Sequence, residues 1–333
     1  MLKVSFEPLT LLRVRGAGDR LAYAPGPGAV LSDDPLLPRL ETIIGAIVSA
    51  LDLEPELYSH EEMVEAVFGK GTKVYGPFLL KEDEKEKKDE VYVNIKVAYL
   101  KLNERCLNKY FKAYDFLKKN ILFPKEFDEI KSLKSTLEGT SNDEENEKKR
   151  FKSMLDKENE DKCLLDPKAL AFKSTHVALD YRRKSAHFGL LYSMSTLDLR
   201  GAKIIILVEP ANEGEEIVKR LEDLKAINIP NTKSLARIDV KPIDINLNPH
   251  NEELRLVTSP IPLREVSEAR PNPFYKGYEV ANYIVGKTKK VRLGPEPLLP
   301  PGSFVKLKSE SDVTFIRALG EESLKSIGEK LTR

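Results

Sequence analysis

Tryptophan is absent from the 333 residues, and cysteine (2), methionine (4) and histidine (4) are scarce. Cys106 and Cys163 stand 57 positions apart with no CxxC pair and no histidine close by. Neither a disulfide framework nor a zinc knuckle is therefore expected, and both read as reduced thiols. No apolar run reaches the roughly 18 residues of a membrane span. The opening MLKVSFEPLT alternates too much for a secretion signal, which makes a cytoplasmic protein the expectation. There is no Walker lysine loop, no HExxH, no GxSxG and no DFG or HRD, so phosphoryl transfer, zinc hydrolysis and serine acyl transfer lack their parts. The GAGD at 16–19 is followed by a loop rather than a helix, against dinucleotide binding. No cofactor or metal is expected. An overall excess of one charge is missing too: 54 Lys and Arg face 53 Asp and Glu, which argues against a protein that coats nucleic acid over its whole surface.

What the chain does have is charge in particular places. From Phe172 to Val208, six basic side chains (Lys173, Arg182, Arg183, Lys184, Arg200, Lys203) meet two acids, Asp180 and Asp198. Residues 270–308 hold eight basic side chains against Glu279 and Glu296, whereas residues 1–76 hold seven against eleven acids. A polyanion site is expected at the central turn and the C-terminal segment. The turn YRRKSAHFG sets forked donors (Arg182, Arg183), a point charge (Lys184) and a hydroxyl (Ser185) beside rings able to stack on a base (Tyr181, His187, Phe188). A solvated hairpin tip would carry many of the same residues. Further on, Gly286, Gly294 and Gly302 surround Lys287, Lys289, Lys290 and Arg292, with glycine admitting close backbone approach to an anion. Strand-end glycines in an ordinary loop are the plainer explanation. Arg13, Arg15 and Arg20 form a third basic spot near Asp19, Asp33 and Asp34.

Periodicity orders the elements. LKVSFEPL reads as a strand stopped by Pro8, and Leu40, Ile43, Ile44, Ile47, Val48 and Leu51 share a helix face over about 39–52, with Gly45 and Ala46 admitting close packing. From about 53 to 172 the chain reads as a large insertion, with a helical piece at His60–Phe68, a strand pair near 73–80 and 91–100, and two solvated charged tracts at 81–90 and 143–162. Gly189–Leu199 and Ala202–Glu209 read as strands, a helix capped by Asn212 follows, and Ala236–Leu247 alternates as a strand. The order is βαββαβ, the ferredoxin-like plan of RNA-recognition modules. The expectation is an α+β protein of two ferredoxin-like domains with antiparallel sheets: 1–246, carrying the insertion, and a smaller 247–333 with strands at 254–263, 278–285 and 303–308 and a helix at 321–331.

Five segments, FEPLTLLRVRGAGDRL, ETIIGAIVSAL, YGPFLL, HVALDYRRKSAHFGLLYS and PPGSFVKL, in this order and spacing resemble the Cmr-three family, Cas-five-like RAMP proteins of type III-B CRISPR effector complexes. The resemblance implies two ferredoxin-like domains, no nuclease site, and a place at the foot of the complex. There the family holds the 5′ repeat-derived handle of the guide RNA and contacts the large Cas-ten-type subunit and a Cas-seven-type backbone subunit. By matching motif it points to Arg15 and Arg20, to His176–Tyr192, and to Gly302 and Ser303 as handle-binding positions. Asp33 and Asp34 depart from the small or hydroxyl residues usual in that loop. Two other readings stay open: a metal-independent repeat endoribonuclease using His176 or His187, and a protein-interaction scaffold that touches no RNA.

Overall fold

The computed structural model describes residues 1–12, 29–30, 37–53, 59–82, 88–96, 98–113, 162–180, 185–210, 215–229, 234–247, 254–270, 272, 279–285, 291–308 and 314–332. Strands β1 (Leu2–Pro8) and β2 (Ala29–Val30) precede helices α1 (Leu40–Ala50) and α2 (His60–Phe68). Then come β3 (Lys73–Glu82), β4 (Asp89–Asn94), β5 (Tyr99–Lys101), α3 (Glu104–Ala113), β6 (Leu164–Leu165), β7 (Ala171–Asp180), β8 (Ser185–Leu197) and β9 (Ala202–Glu209). Helix α4 (Glu215–Glu222), β10 (Ala226–Ile229) and β11 (Ser234–Pro242) follow. The C-terminal part holds β12 (Arg255–Val257), β13 (Ile261–Pro262), β14 (Val266–Arg270), β15 (Glu279–Val285), β16 (Val291–Leu299), β17 (Phe304–Leu307), β18 (Phe315–Ile316), β19 (Ala318–Leu319) and α5 (Glu321–Leu331). None of the described helices is long and apolar enough to cross a membrane.

The main sheet runs β10-β11-β1-β9-β3-β4-β5-β6, with β18 added in parallel beside the first half of β3. Its centre, β11-β1-β9-β3, is antiparallel throughout, α1 and α2 lie between β1 and β3, and α4 precedes β10 and β11, which gives the split βαβ arrangement expected. One assignment changes. The second strand of the plan is Lys73–Glu82, not Gly189–Leu199. Strand β9 buries Ile204, Ile205, Ile206, Leu207 and Val208 completely, and strands buried on both faces are near-continuous apolar runs. VYGPFLL offers that beside β9, whereas the serines and threonine of SMSTLDL suit a separate small ribbon, and β8 pairs instead with β7 and, in parallel, with β2. The charged tract at 143–162 lies outside the described residues except at its last position.

The period of two splits β9 between two cores. Ile204, Ile206 and Val208 join Val4 and Phe6 of β1 and Ile238 and Val240 of β11 under α1 and α2. Ile205 and Leu207 join Tyr75 and Phe78 against Tyr110 of α3, Leu324 and Ile327 of α5, and Leu256 and Phe304 of the C-terminal part. Each such side chain contributes roughly 1.5–3 kcal/mol. The C-terminal strands form a sheet ordered β14-β17-β12-β19 with its own small core around Val257, Val266 and Val305. Among the described residues this part has one α-helix, at its end. Gly45 is not a close-packing position: a Cβ there meets nothing within 4 Å.

The cysteines correct the sequence reading. Cys106 and Cys163 form a disulfide with Cα atoms 5.3 Å apart. Pairing of Leu164 and Leu165 with β5 brings Cys163 beside the first turn of α3, a proximity that 57 intervening positions conceal in the sequence.

A bulge in β3 places Gly76 and Pro77 opposite Ile206 alone, between the pairs Tyr75↔Leu207 and Phe78↔Ile205. It puts both Tyr75 and Phe78 into the second core. Gly76 has φ +118°, and a Cβ would lie 3.1 Å from the Ile205 carbonyl oxygen. Gly76→Ala is expected to cost about 1–3 kcal/mol, read as a lower denaturant midpoint with unchanged slope.

Candidate nucleic-acid interface

Two β-ribbons stand apart from the main sheet. The first, β7 with β8, is paired from Ala171↔Leu197 at its base to Asp180↔Ser185 at its end. A register shift near the end sets Ala178 alone against His187–Leu190. The second, β15 with β16, runs from Glu279↔Leu298 to Val285↔Val291, and Gly294 and Pro295 form a bulge opposite Asn282. Glycine and proline suit that position because a bulge residue owes the ladder no hydrogen bond. In both ribbons the connection holds the cations: Tyr-Arg-Arg-Lys at 181–184 and Gly-Lys-Thr-Lys-Lys at 286–290.

Of the residues singled out in the sequence, Arg13, Arg15, Arg20, Tyr181, Arg182, Arg183, Lys184, Lys287, Lys289 and Lys290 lie outside the described residues. His176 stands opposite Tyr192 on the first ribbon, His187 falls within the shift, and Arg292 stands opposite Ile284, next to the last pair of the second.

The residues that flank one basic segment in the sequence are both joined to the first ribbon. Leu12 and Leu197 exchange hydrogen bonds of 2.9 and 2.7 Å, and Ala29 and Val30 pair in parallel with Tyr192 and Ser193. The segment carrying Arg13, Arg15 and Arg20 thus leaves from β8 at its base and returns to β8 five residues nearer the tip. Ser234 Oγ donates to the Leu11 carbonyl at 2.9 Å and Leu9 N–H to the Leu235 carbonyl at 2.8 Å, which fixes this base against β11.

Gly302 and Ser303 are buried. Gly302 has φ +88°, its N–H donates to the Val257 carbonyl at 2.8 Å, and its own carbonyl accepts from the Tyr110 hydroxyl at 3.0 Å. Asn272 Nδ2 bridges the Ile95 and Pro301 carbonyls at 2.8 and 2.6 Å, and a Cβ on Gly302 would meet it at 2.5 Å. The glycine is needed here for a tight internal turn, and neither residue lies on the outer surface. Two other cations of the basic segments are engaged. Arg200 bonds Asp198 through Nε at 2.9 Å, and that hydrogen bond holds the Asp198 carboxyl below its usual range. Lys306 lies 3.5 Å from Glu268.

The sheet face that RNA-recognition modules line with aromatic rings is furnished differently. On the face away from α1, β1 and β11 present Lys3, Glu7, Leu235, Arg237, Asp239 and Lys241, together with the buried Ser5, and Arg237 is paired to Glu7 (3.8 Å) and Lys241 to Asp239 (3.1 Å). None is a ring, and the C-terminal part covers this face at β3 and β9.

Sequence reasoning missed a buried charge cluster. Arg317, between β18 and β19, donates from Nη2 and Nε to Glu41 Oε1 of α1 at 2.9 and 3.1 Å, and from Nη1 to Glu265 Oε1 at 3.4 Å. Its guanidinium carbon lies 5.0 Å from the centre of the Phe315 ring. Burial pushes the Glu41 carboxyl up, but Arg317, then His60 and Arg39, outweigh it and leave it below the usual range. An arginine inside the apolar run TFIRALG was the available signal.

No family model and no curated protein matches the chain. Solved structures do. A chain of the type III-B Cmr-beta complex bound to cognate target RNA and AMPPnP, state 1, is 14% identical with a TM-score of 0.54, over 91% of this chain and 86% of that one. In the structure of Type III-B Cmr-beta bound to cognate target RNA, the identity is 14% and the TM-score 0.56, again over 91% and 86%. At such identity the likeness is one of fold: the protein has the fold of a type III CRISPR complex subunit, the group to which the five sequence segments also point.

Proposed function

We propose that this protein is a non-catalytic, cytoplasmic RNA-binding subunit of a type III-B CRISPR effector complex. It holds the 5′ repeat-derived handle of the guide RNA and bridges a large Cas-ten-type subunit to a Cas-seven-type backbone subunit. The observation that carries this reading is that Leu12 and Ala29–Val30, which flank the Arg13–Arg20 segment in the sequence, both pair with β8, the strand that follows YRRK in the chain. Cations gathered at a ribbon end suit a single strand of phosphates, while the paired charges on the open sheet face do not. The fold likeness to chains of RNA-bound complexes agrees with it.

The test replaces Arg182, Arg183 and Lys184 together by alanine and titrates the protein with handle RNA at several salt concentrations. Affinity is expected to fall roughly 100-fold, and the slope of log K against log salt to flatten by about 2, as the loss of three single-strand phosphate contacts requires. Unchanged affinity and slope would remove this ribbon from the site. Incubation with precursor repeat RNA in EDTA is expected to give binding and no cut; a defined cut means the protein is a nuclease.

A further inference from the structure

The disulfide joins two short elements, α3 and the start of β6. Strand β6 is a two-residue edge strand that, among the described strands, pairs with β5 alone, and α3 has ten residues, too few for a helix to persist alone. Cys106 lies in the first turn of α3, its N–H donating to Asn103 Oδ1 at 2.7 Å. One turn later Tyr110 donates its hydroxyl to the Gly302 carbonyl, and its ring lies 5.6 Å from that of Phe304. Phe111 meets the same ring edge-on at 5.2 Å. On the other side, Lys101 N–H donates to the Cys163 carbonyl at 2.9 Å. The helix bonded to Cys163 is thus also the wall behind the Pro300–Phe304 turn.

We propose that the Cys106–Cys163 bond is a shielded redox latch that seats α3 and β6 and, through Tyr110, the Pro300–Phe304 turn. Both cysteines are fully buried at 0% exposure, so a reductant reaches the sulfurs only when α3 lifts. A dithiol then attacks one sulfur as its thiolate, forms a mixed disulfide, and resolves it with its second thiol. Two electrons and two protons pass to the protein, leaving Cys106 and Cys163 as thiols and the reductant as a cyclic disulfide. The covalent tie between α3 and β6 is then gone, and the two are held only by their packing. The effect is local, because the pairings of β11, β1, β9 and β3 do not pass through either cysteine.

The test is amide hydrogen exchange read by mass spectrometry on the full chain, with and without dithiothreitol, and on the Cys106→Ser/Cys163→Ser variant. Reduction is expected to speed exchange at least about tenfold in peptides covering 98–113, 162–166 and 300–307, while those of β1, β9 and β11 keep their protection. The variant is expected to match the reduced protein, and both cysteines to take up iodoacetamide only after reduction. The latch is overturned by alkylation of both cysteines in unfolded, unreduced protein, by exchange that reduction leaves unchanged, or by loss of protection in all strands together.

Discussion

Arg317→Ala is expected to lower the unfolding free energy by about 3–5 kcal/mol at pH 7, because it leaves a carboxylate buried with its counter-charge gone. The Arg317 and Glu41 side chains are 6% and 5% exposed, so water cannot replace the lost guanidinium. Among the described residues Glu41 Oε2 has no hydrogen-bond partner, which makes the pair depend on Oε1 and on charge. The pair links α1 of the first core to the β18–β19 segment, and Glu265, which precedes β14, contacts the same guanidinium. The penalty therefore falls on the junction of the N-terminal sheet with the C-terminal part.

The same cluster predicts a pH signature. The folded protein holds the Glu41 carboxyl below its ordinary value, so its contribution is complete above the unfolded value of about 4.3 and is lost as pH falls through the lower folded value. Around Glu41 stand Arg317, His60 of α2, Arg39 before α1, and Glu265 beyond Arg317. Without Arg317 the largest opposing influence on Glu41 is gone while burial stays, so the carboxyl is expected to titrate higher in the variant than in the wild type. Guanidinium titrations should then show the gap between wild type and variant narrowing from pH 7 to pH 4. A gap that stays constant would mean that lost packing, not charge, sets the cost. Replacing Glu41 and Arg317 together by leucines is expected to recover part of the loss.

Gly328→Ala is expected to cost about 2–4 kcal/mol, against the usual helix preference. In an open helix site glycine to alanine gains up to about 1 kcal/mol, and Gly45→Ala in α1, with open space around it, should gain roughly that. At Gly328 the sign reverses. Helix α5 buries Leu324, Ile327, Gly328 and Leu331 on one face, and a Cβ on Gly328 would collide with the Leu102 carbonyl oxygen just past β5. That oxygen belongs to the backbone, so it cannot swing aside, and the whole helix must shift. Denaturation of both variants under one condition checks the opposite signs; a destabilised Gly45→Ala together with a neutral Gly328→Ala would contradict the packing described for both helices.

Much of the central sheet was legible because its residues alternate or run apolar at spacings that each element imposes by itself. Leu2, Val4 and Phe6 mark one buried face of β1, and Ile204–Leu207 mark a strand covered on both faces, which their burial bears out. The helix at Leu40–Ala50 declared itself by period, but the role of its glycine did not, since a missing Cβ says nothing about what lies opposite. Strand β3 was visible as a strand and misplaced in the plan, because periodicity reports how a strand is covered and not which strand it lies beside. The cysteine pair and the Arg317–Glu41 contact were invisible for a related reason: their partners are 57 and 276 positions away. Of the candidate site, the sequence located the cations, and the backbone added the two ribbons that end in them.

Local pattern alone determined the class of the fold, the position of its principal strands and helices, and the segments where positive charge gathers. Those properties depend on residues within one or two turns or pleats of each other. Only the tertiary structure decided that VYGPFLL lies beside β9, that Gly302 and Ser303 face inward, that the cysteines join, and that Leu12 and Ala29–Val30 pair with β8. Each of these is a meeting of distant residues, chosen by which surfaces can be covered together once the chain has collapsed, and no short-range spacing encodes that choice.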